Sequence, residues 1–429
     1  MKFFKILLLG FIINFLGVNL FASEEFKLSN DVKVVYNNIP NIKITSVQLW
    51  MNTGSRNETK EINGISHFLE HMVFKGTKSF RPDEIDSIVE ANGGQMNAAT
   101  SKDYTFYYIT IPTENVEVAF KVISEMVFDA LFLDDEIEKE KPVVIEEIKR
   151  KYDDPTYDMW TTLAETIHQN TSYSMEIIGT EDNVRSFNHQ KLMDYYKKYY
   201  HPHNMTLAIV GDIDKSKAFA LAEKYFNKKR DVPHGEHLVF DQKKLPDHVE
   251  KFFKKDVNQV YGLIAYPAPK INEKDIYALD LLEEILSGGE MSILNKTLKN
   301  EKGLVNSVFG GYSGLKYGGT FLVFYTCEPG KETKVDREIM NIFSNILNNG
   351  IPKTELESAR NRLKSTVIFR REKASAEAED IGYSYTLGME NYYKNFIENI
   401  NKTTDEDILR VFKEILTNNS VVIKTVPKK

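Results

Sequence analysis

Between Asn227 and Val249 the chain runs through Lys228-Lys229-Arg230, Pro233, Gly235 and Pro246, a polar stretch broken by turn formers that no strand or helix of a packed core accommodates. A chain of 429 residues interrupted there must bury its apolar residues in two separate cores. Apolar residues make up 42% and aromatic ones 12%, enough to fill both. The formal net charge of −7 lacks the broad basic excess that a phosphate backbone demands, which argues against nucleic acid as a partner. The single cysteine, Cys327, cannot close an internal disulfide and stands in a β-forming run, Phe321 to Cys327, as a buried strand residue would.

Met1 to Ala22 places Lys2 and Lys5 ahead of Ile6-Leu7-Leu8-Leu9 and a further apolar run that ends in Leu20-Phe21-Ala22, the pattern of a secretory signal peptide cut after Ala22. The expected location is the periplasm or another exported compartment, with no stable membrane insertion once the signal is gone. Residues 33–36 and 42–51 then read as strands, and 65–75 as a helix entered through the turn Asn63-Gly64. A helix follows Pro82, an extended stretch covers 96–112, and helical patterns cover 116–131, 134–152, 160–168 and 190–200. A strand at 206–210 ends the first half. From Val257 an order of strand, helix, strand, helix begins again. The expected fold is therefore α+β, with two similar αβ domains, each a largely antiparallel sheet packed against helices. Their boundaries are placed at 23–230 and 250–429, with 231–249 as the linker.

His67-Phe68-Leu69-Glu70-His71 sets two imidazoles four residues apart, so on a helix both project from one face and can share a metal ion. At about 100° per residue, Ile65, Leu69, Met72 and Val73 fall on one side of this helix and His67, Glu70 and His71 on the other, with Phe74 among the triad positions as a candidate wall. Two neutral imidazoles and a carboxylate at about 2.0–2.2 Å from zinc leave a fourth position for water, with Glu70 as the natural general base. The order is inverted relative to the thermolysin-type motif but meets the same need. The best supplier of the third ligand is the acidic helix around Glu146-Glu147. If that helix is continuous, Glu147 lies beside the stripe Ile137, Val144, Ile148, with Glu140 two turns earlier on the same flank, while Glu146 points away. Pro142 can kink the helix and disturb the phase between Glu140 and Glu147. His201-Pro202-His203 reads as a turn before a strand rather than a second metal site.

The longer run Gly64-Ile65-Ser66-His67-Phe68-Leu69-Glu70-His71-Met72-Val73-Phe74-Lys75-Gly76-Thr77 resembles the active-site signature of the pitrilysin-type (inverzincin) zinc peptidases, in the short two-domain form of mitochondrial processing peptidase subunits. Gly93 to Thr100, Val143 to Ile148 and Tyr200 to Leu207 add to the resemblance in family order. It implies Zn2+ held by His67, His71 and Glu147, Glu70 as base, and Glu140 as a carboxylate steadying a ligand. It also implies that Asn97 and Ala98 lie on a strand that pairs with an extended peptide substrate. Family members with a complete site carry, in the second half, an arginine and a tyrosine that contact substrate. Here those positions are Lys299 and Asn306, which supply neither a guanidinium fork nor a phenol. Four αβ domains form the family's working chamber and this chain supplies two. The expected partner is thus a related subunit providing the arginine and tyrosine in a heterodimer, or a second copy in a homodimer. The reading is a zinc metalloendopeptidase of extended peptides or unfolded segments, against the alternative of a non-catalytic peptide-binding or assembly subunit.

Overall fold

The computed structural model describes residues 23–228, 238–271 and 274–428. The predicted signal peptide, His234, His237 and the first part of the predicted linker lie outside them. The first half contains β1 (Glu24–Lys27), β2 (Lys33–Asn38), β3 (Ile44–Met51), α1 (Ile65–Met72), α2 (Glu84–Ala91), β4 (Gln95–Thr100) and β5 (Thr105–Pro112). Helices α3 (Val116–Phe128), α4 (Asp134–Tyr152), α5 (Tyr157–Ile167), α6 (Glu181–Ser186) and α7 (His189–Tyr199) follow, then β6 (Met205–Gly211) and α8 (Lys215–Phe226). The second half contains β7 (Val249–Lys255), β8 (Val260–Ala268), α9 (Ile276–Ser287), a π-helical turn over Asn295–Glu301, β9 (Ser307–Leu315) and β10 (Gly318–Cys327). It closes with α10 (Glu332–Asn349), α11 (Lys353–Arg371), α12 (Ala374–Leu387), α13 (Glu390–Lys402), α14 (Asp405–Leu416) and β11 (Val421–Pro427).

The two sheets have the orders β1-β2-β6-β3-β5-β4 and β7-β11-β8-β10-β9. Apart from β1 these are one topology used twice: a parallel pair, β2–β6 or β7–β11, and antiparallel pairing elsewhere. The fold is thus α+β with two similar sheets, each packed against helices. The sequence reading lacks β1, α6 and α8 and carries the helix of 65–75 past Met72, where α1 ends; two further differences bear on the sheets. The stretch 96–112 is a hairpin, β4 and β5 joined by a tight turn over 101–104. The second half opens with two strands, because Val249–Lys255 forms β7; its sequence VEKFFKK suits a mostly exposed edge strand and so carries no core signature.

Each sheet packs its own helices on one face and a helix borrowed from the other half on the opposite face. Met159, Leu163 and Ile167 of α5 are buried against Leu263 and Ala265 of β8, Leu322 of β10 and Val421 and Ile423 of β11. Ala374, Ala378, Ile381 and Tyr385 of α12 are buried against Val35, Ala208 and Val210 of the first sheet. Each buried Leu or Ile contributes about 1.5–3 kcal/mol of transfer free energy, so the exchange ties the halves firmly. The approach is close: a Cβ on Gly382 would meet the Trp50 indole at 2.0 Å, so that helix turn must be glycine. Among the described residues no helix is long and apolar enough to cross a membrane.

Candidate metal centre

Helix α1 starts without a side-chain cap of its own; Gly64 precedes it at φ 97°, in the left-handed region that favours glycine. Its free N–H groups are met instead by Glu58, whose carboxylate accepts from Gly64 N at 2.8 Å, Ser66 N at 2.9 Å and Asn63 Nδ2 at 2.9 Å. Glu58 is fully buried, and that burial, outweighing the hydrogen bonds, pushes its pKa up to about 7. Ile65, Phe68, Leu69 and Met72 are buried in the first core, which leaves His67, Glu70 and His71 half-buried in the groove bounded by α1, α4 and β4.

Helix α4 runs unbroken through Pro142, which sits on the exposed side where the carbonyl deprived of its donor belongs to exposed Glu138. The phase between Glu140 and Glu147 is therefore preserved. Glu147 faces α1, Glu140 is buried with 5% exposure, and Glu146 is exposed. Glu147 Oε2 lies 3.9 Å from His67 Nε2 and 3.8 Å from His71 Nε2, and the imidazole centroids are 4.7 Å apart. Those separations are too long for hydrogen bonds and close to the spacing of about 3.5 Å between ligand atoms of a tetrahedral centre with bonds of about 2.1 Å. Among the described residues His67, His71 and Glu147 are the one group of three or more possible ligands so arranged. The donor set fits zinc.

The surroundings fix these ligands. His71 Nδ1 donates to Glu140 Oε1 at 2.9 Å, which turns Nε2 toward the shared point, and Lys75 Nζ holds Glu140 Oε2 at 2.8 Å. Burial raises the Glu140 pKa, but the hydrogen bonds from His71 and Lys75 outweigh it and the carboxyl stays below its ordinary range. In His71 the cost of burying charge is overcome by Glu140, Glu147 and Glu70, and the net shift is upward. His67 has no such partner: its buried Nδ1 makes no hydrogen bond, and burial, then the charges of His71 and Lys151, push its pKa down to about 3. Glu70 Oε2 accepts the hydroxyl of Thr100, the last residue of β4, at 2.5 Å. Burial raises the Glu70 pKa against that hydrogen bond and the charge of His71. Phe74, expected among the triad positions, lies beyond the end of α1 and packs against the first core, its ring 6.4 Å from that of Tyr107.

Strand β4 is the edge of the first sheet, so its outer side is unpaired by any strand. Asn97 is exposed and its Oδ1 accepts the outward N–H of Ala98 at 2.8 Å, marking Ala98 as a residue whose backbone faces the open edge. Lys299 and Asn306 are engaged within their own half: Lys299 lies in the π-helical turn, 3.2 Å from Glu290, and Asn306 donates to Gln259 at 3.0 Å. Of the remaining histidines, His168 is buried with its pKa driven down to about 4 by that burial, and His203 pairs with Asp31 at 3.2 Å. Sequence reasoning did not single out Glu58, Lys75 or Thr100 individually. Thr100 had one available signal, its place on the helix-facing side of the strand that carries Ala98.

Comparison with known proteins decides the family. Residues 33–181 match the family described as Insulinase (Peptidase family M16), and residues 186–363 match the Peptidase M16 inactive domain. An uncharacterized zinc protease of Bacillus subtilis, YmxG, is 30% identical over 398 residues, which is 92% of this chain and 96% of that protein. The chain belongs to peptidase family M16. Among solved structures, a protease from Helicobacter pylori superposes on this M16 chain with a TM-score of 0.90 at 25% identity, covering 95% of this chain and all of that one. The periplasmic protease PqqL from Escherichia coli shares the fold at a TM-score of 0.79 and 20% identity, and the M16 chain spans 47% of its length.

Proposed function

We propose that this M16 chain is the zinc-bearing subunit of an exported metalloendopeptidase that hydrolyses extended peptides or unfolded polypeptide segments. The observation that carries this reading is the convergence of three lone-pair donors with no hydrogen between them, His67 Nε2, His71 Nε2 and Glu147 Oε2, beside a carboxylate and an open strand edge. Zinc held there would supply Lewis acidity and lower the pKa of its water. The chain's own residues do the rest. The edge of β4 at Asn97 and Ala98 takes the peptide backbone as an added strand, which gives affinity with little demand on sequence. Glu70 removes a proton from the attacking water and returns it to the leaving amine. Thr100 fixes one oxygen of Glu70 and leaves the other to face the water; Glu140 and Lys75 hold the His71 ring in its orientation.

A partner completes the assembly in this reading. The chain spans about half of PqqL, and Lys299 and Asn306 are tied to neighbours in their own half. A related subunit supplying an arginine and a tyrosine, or a second copy, fills the gap. The same two residues favour the second reading, a non-catalytic peptide-binding or assembly subunit. Incubating the mature chain with an unstructured fluorogenic peptide, with a chelator control and metal analysis of the same sample, separates the two. Chelator-sensitive turnover with one zinc per chain supports the peptidase. Stoichiometric zinc without turnover, alone or with a related subunit added, supports the binding role.

A further inference from the structure

Alongside the ligands a cavity of about 490 Å³ opens, bounded by Glu147, Arg150 and Lys151 at the end of α4, by Tyr157 and Trp160 at the start of α5, and by Glu176. Glu147 belongs to both the cavity and the metal centre, so the two are continuous. The far wall is rigid: the Trp160 indole stacks on Phe324 of β10, with centroids 5.7 Å apart and planes 27° apart, and its Nε1 donates to Thr156 Oγ1 at 3.1 Å. It nevertheless remains 40% exposed. Tyr157 is held edge-on by Tyr152 at 5.1 Å.

The charges of the cavity are mostly satisfied. Asp154, also on its rim, spends Oδ1 on the N–H and hydroxyl of Thr156, both at 2.7 Å. Glu176 lies 3.8 Å from Lys151 and accepts the Thr161 hydroxyl at 3.3 Å. Arg150 is exposed, and neither a hydrogen bond nor an ion pair to any described residue is found for it. Two fixed aromatic faces and one free guanidinium therefore remain. An aromatic ring entering there stacks on Trp160 and lies under a cation, two contacts that add to the burial of its area. The carboxylates of the lining are engaged by the metal centre (Glu147), by Thr156 (Asp154) and by Lys151 and Thr161 (Glu176), so an entering lysine or arginine meets the free Arg150 guanidinium rather than a free acid, and an alanine leaves the walls wet.

We propose that this cavity is a specificity pocket that receives a large aromatic side chain of the peptide lying along β4, close to the bond presented to Glu70. The proposal rests on the peptidase reading for the peptide's position. Side chains of an added strand alternate between the two faces of the sheet, so one set points toward the helices that carry the ligands and the pocket.

The chain has two tryptophans, and Trp50 is buried at 1% exposure, so ligand-dependent changes in fluorescence report on Trp160. Zinc-loaded full-length chain carrying Glu70→Gln is titrated with unstructured peptides in which one Ala is replaced by Phe, Glu or Lys at successive positions. At one position Phe is expected to tighten binding about tenfold over Ala and to shift the Trp160 emission. Measured by anisotropy of labelled peptide, Trp160→Ala brings the ratio of Phe to Ala peptide affinity to about one, and Trp160→Phe, which keeps the wall, retains the gain. Arg150→Ala reduces the gain about threefold. Equal binding of Phe and Ala peptides at every position, tighter binding of Glu or Lys than Phe, a gain that survives Trp160→Ala, or no binding at all overturns the pocket. Cleavage by the wild-type chain is read separately. Aromatic-selective binding without cleavage, alone and with a related subunit added, supports the pocket and sinks the peptidase; cleavage with flat binding and flat kcat/KM sinks the pocket alone.

Discussion

Helix α9 and helix α11 stand in the second half where α1 and α4 stand in the first, yet the acids there meet a different fate. Helix α9 carries Asp280, Glu283 and Glu284 on its polar side, the same crowding of titratable groups as His67, Glu70 and His71. Each of the three is already satisfied by protein donors. Arg362 of α11 pairs with the Glu284 carboxylate and donates to its carbonyl at 3.0 Å; Glu283 accepts Tyr312 N at 3.0 Å; Asp280 accepts the Tyr392 hydroxyl at 3.0 Å. A guanidinium thus stands where the first half leaves room for a cation. Charge density on a helix face does not make a metal centre; converging lone pairs that no protein hydrogen reaches do. This is why one half offers a site that fits zinc and the other, matched to the domain described as inactive, is closed by one ion pair and two hydrogen bonds.

The sharpest way to break this comparison is to change the same carboxylate in both halves. Glu70→Gln is expected to lower kcat by about 10³-fold or more while one zinc per chain is kept, whereas Glu283→Gln, its counterpart, leaves kcat within about twofold. Equal losses would mean that the second cluster takes part in the chemistry. Next in size is metal affinity. His71→Ala should abolish stoichiometric zinc, and Glu140→Gln, which leaves the ligand in place but weakens its hold on His71, should cost about 10–100-fold in affinity measured by competition with a chelating dye. Glu284→Ala should leave zinc untouched and instead lower the thermal midpoint by orphaning Arg362. The cost is about 1–2 kcal/mol, because that pair is partly solvent-screened, with 36% and 18% of the two side chains exposed.

The centre was more legible in the sequence than the fold. The spacing of His67 and His71 and the stripe Ile137, Val144, Ile148 depend on one helical period each, and a period survives in a single sequence. Strand β7 did not, because its side chains are mostly exposed on both faces and its pairing with β11 lies about 170 residues away. The exchange of α5 and α12 between sheets was equally hidden: Met159, Leu163 and Ile167 announce an apolar helix face but not which sheet it covers. Glu58 was invisible for a third reason. A carboxylate between Asn57 and Thr59 looks like surface, and its burial follows only once α1 is seen to need donors met from outside the helix.

Glu58 also gives a test in pH. Its folded pKa is about 7 against an ordinary 4.5, so between those values the folded chain holds a proton that the unfolded chain has lost. The stability it contributes is fully present below about pH 4.5 and declines as pH rises through 7, by an amount of order 3 kcal/mol. Glu58→Gln, which copies the protonated form, should flatten the denaturant midpoint between pH 5 and 7.5. Asp280, also raised to about 7 by burial, provides the same experiment in the second half through Asp280→Asn. If neither substitution flattens the curve, neither acid titrates as its burial demands.

The smallest expected effect concerns Thr100, and it tests whether the first half is organised around Glu70, its proposed base, as well as around the candidate ligands. Thr100 ends the edge strand and gives its hydroxyl to Glu70, so it joins the place where a peptide would pair to the group that would move its protons. Glu283 has no side-chain hydroxyl in that role and takes the backbone N–H of Tyr312 instead, a contact that no substitution there other than proline removes. Thr100→Val keeps the shape and β-propensity of the strand and deletes only the donor. It is expected to lower kcat about tenfold with KM and zinc content unchanged, and Thr100→Ser should restore most of the loss. A rise in KM at constant kcat would place Thr100 in peptide binding alone, and an unchanged kcat would show that Glu70 is held well enough by the packing of α1. Either result would confine what distinguishes the two halves to the ligands themselves.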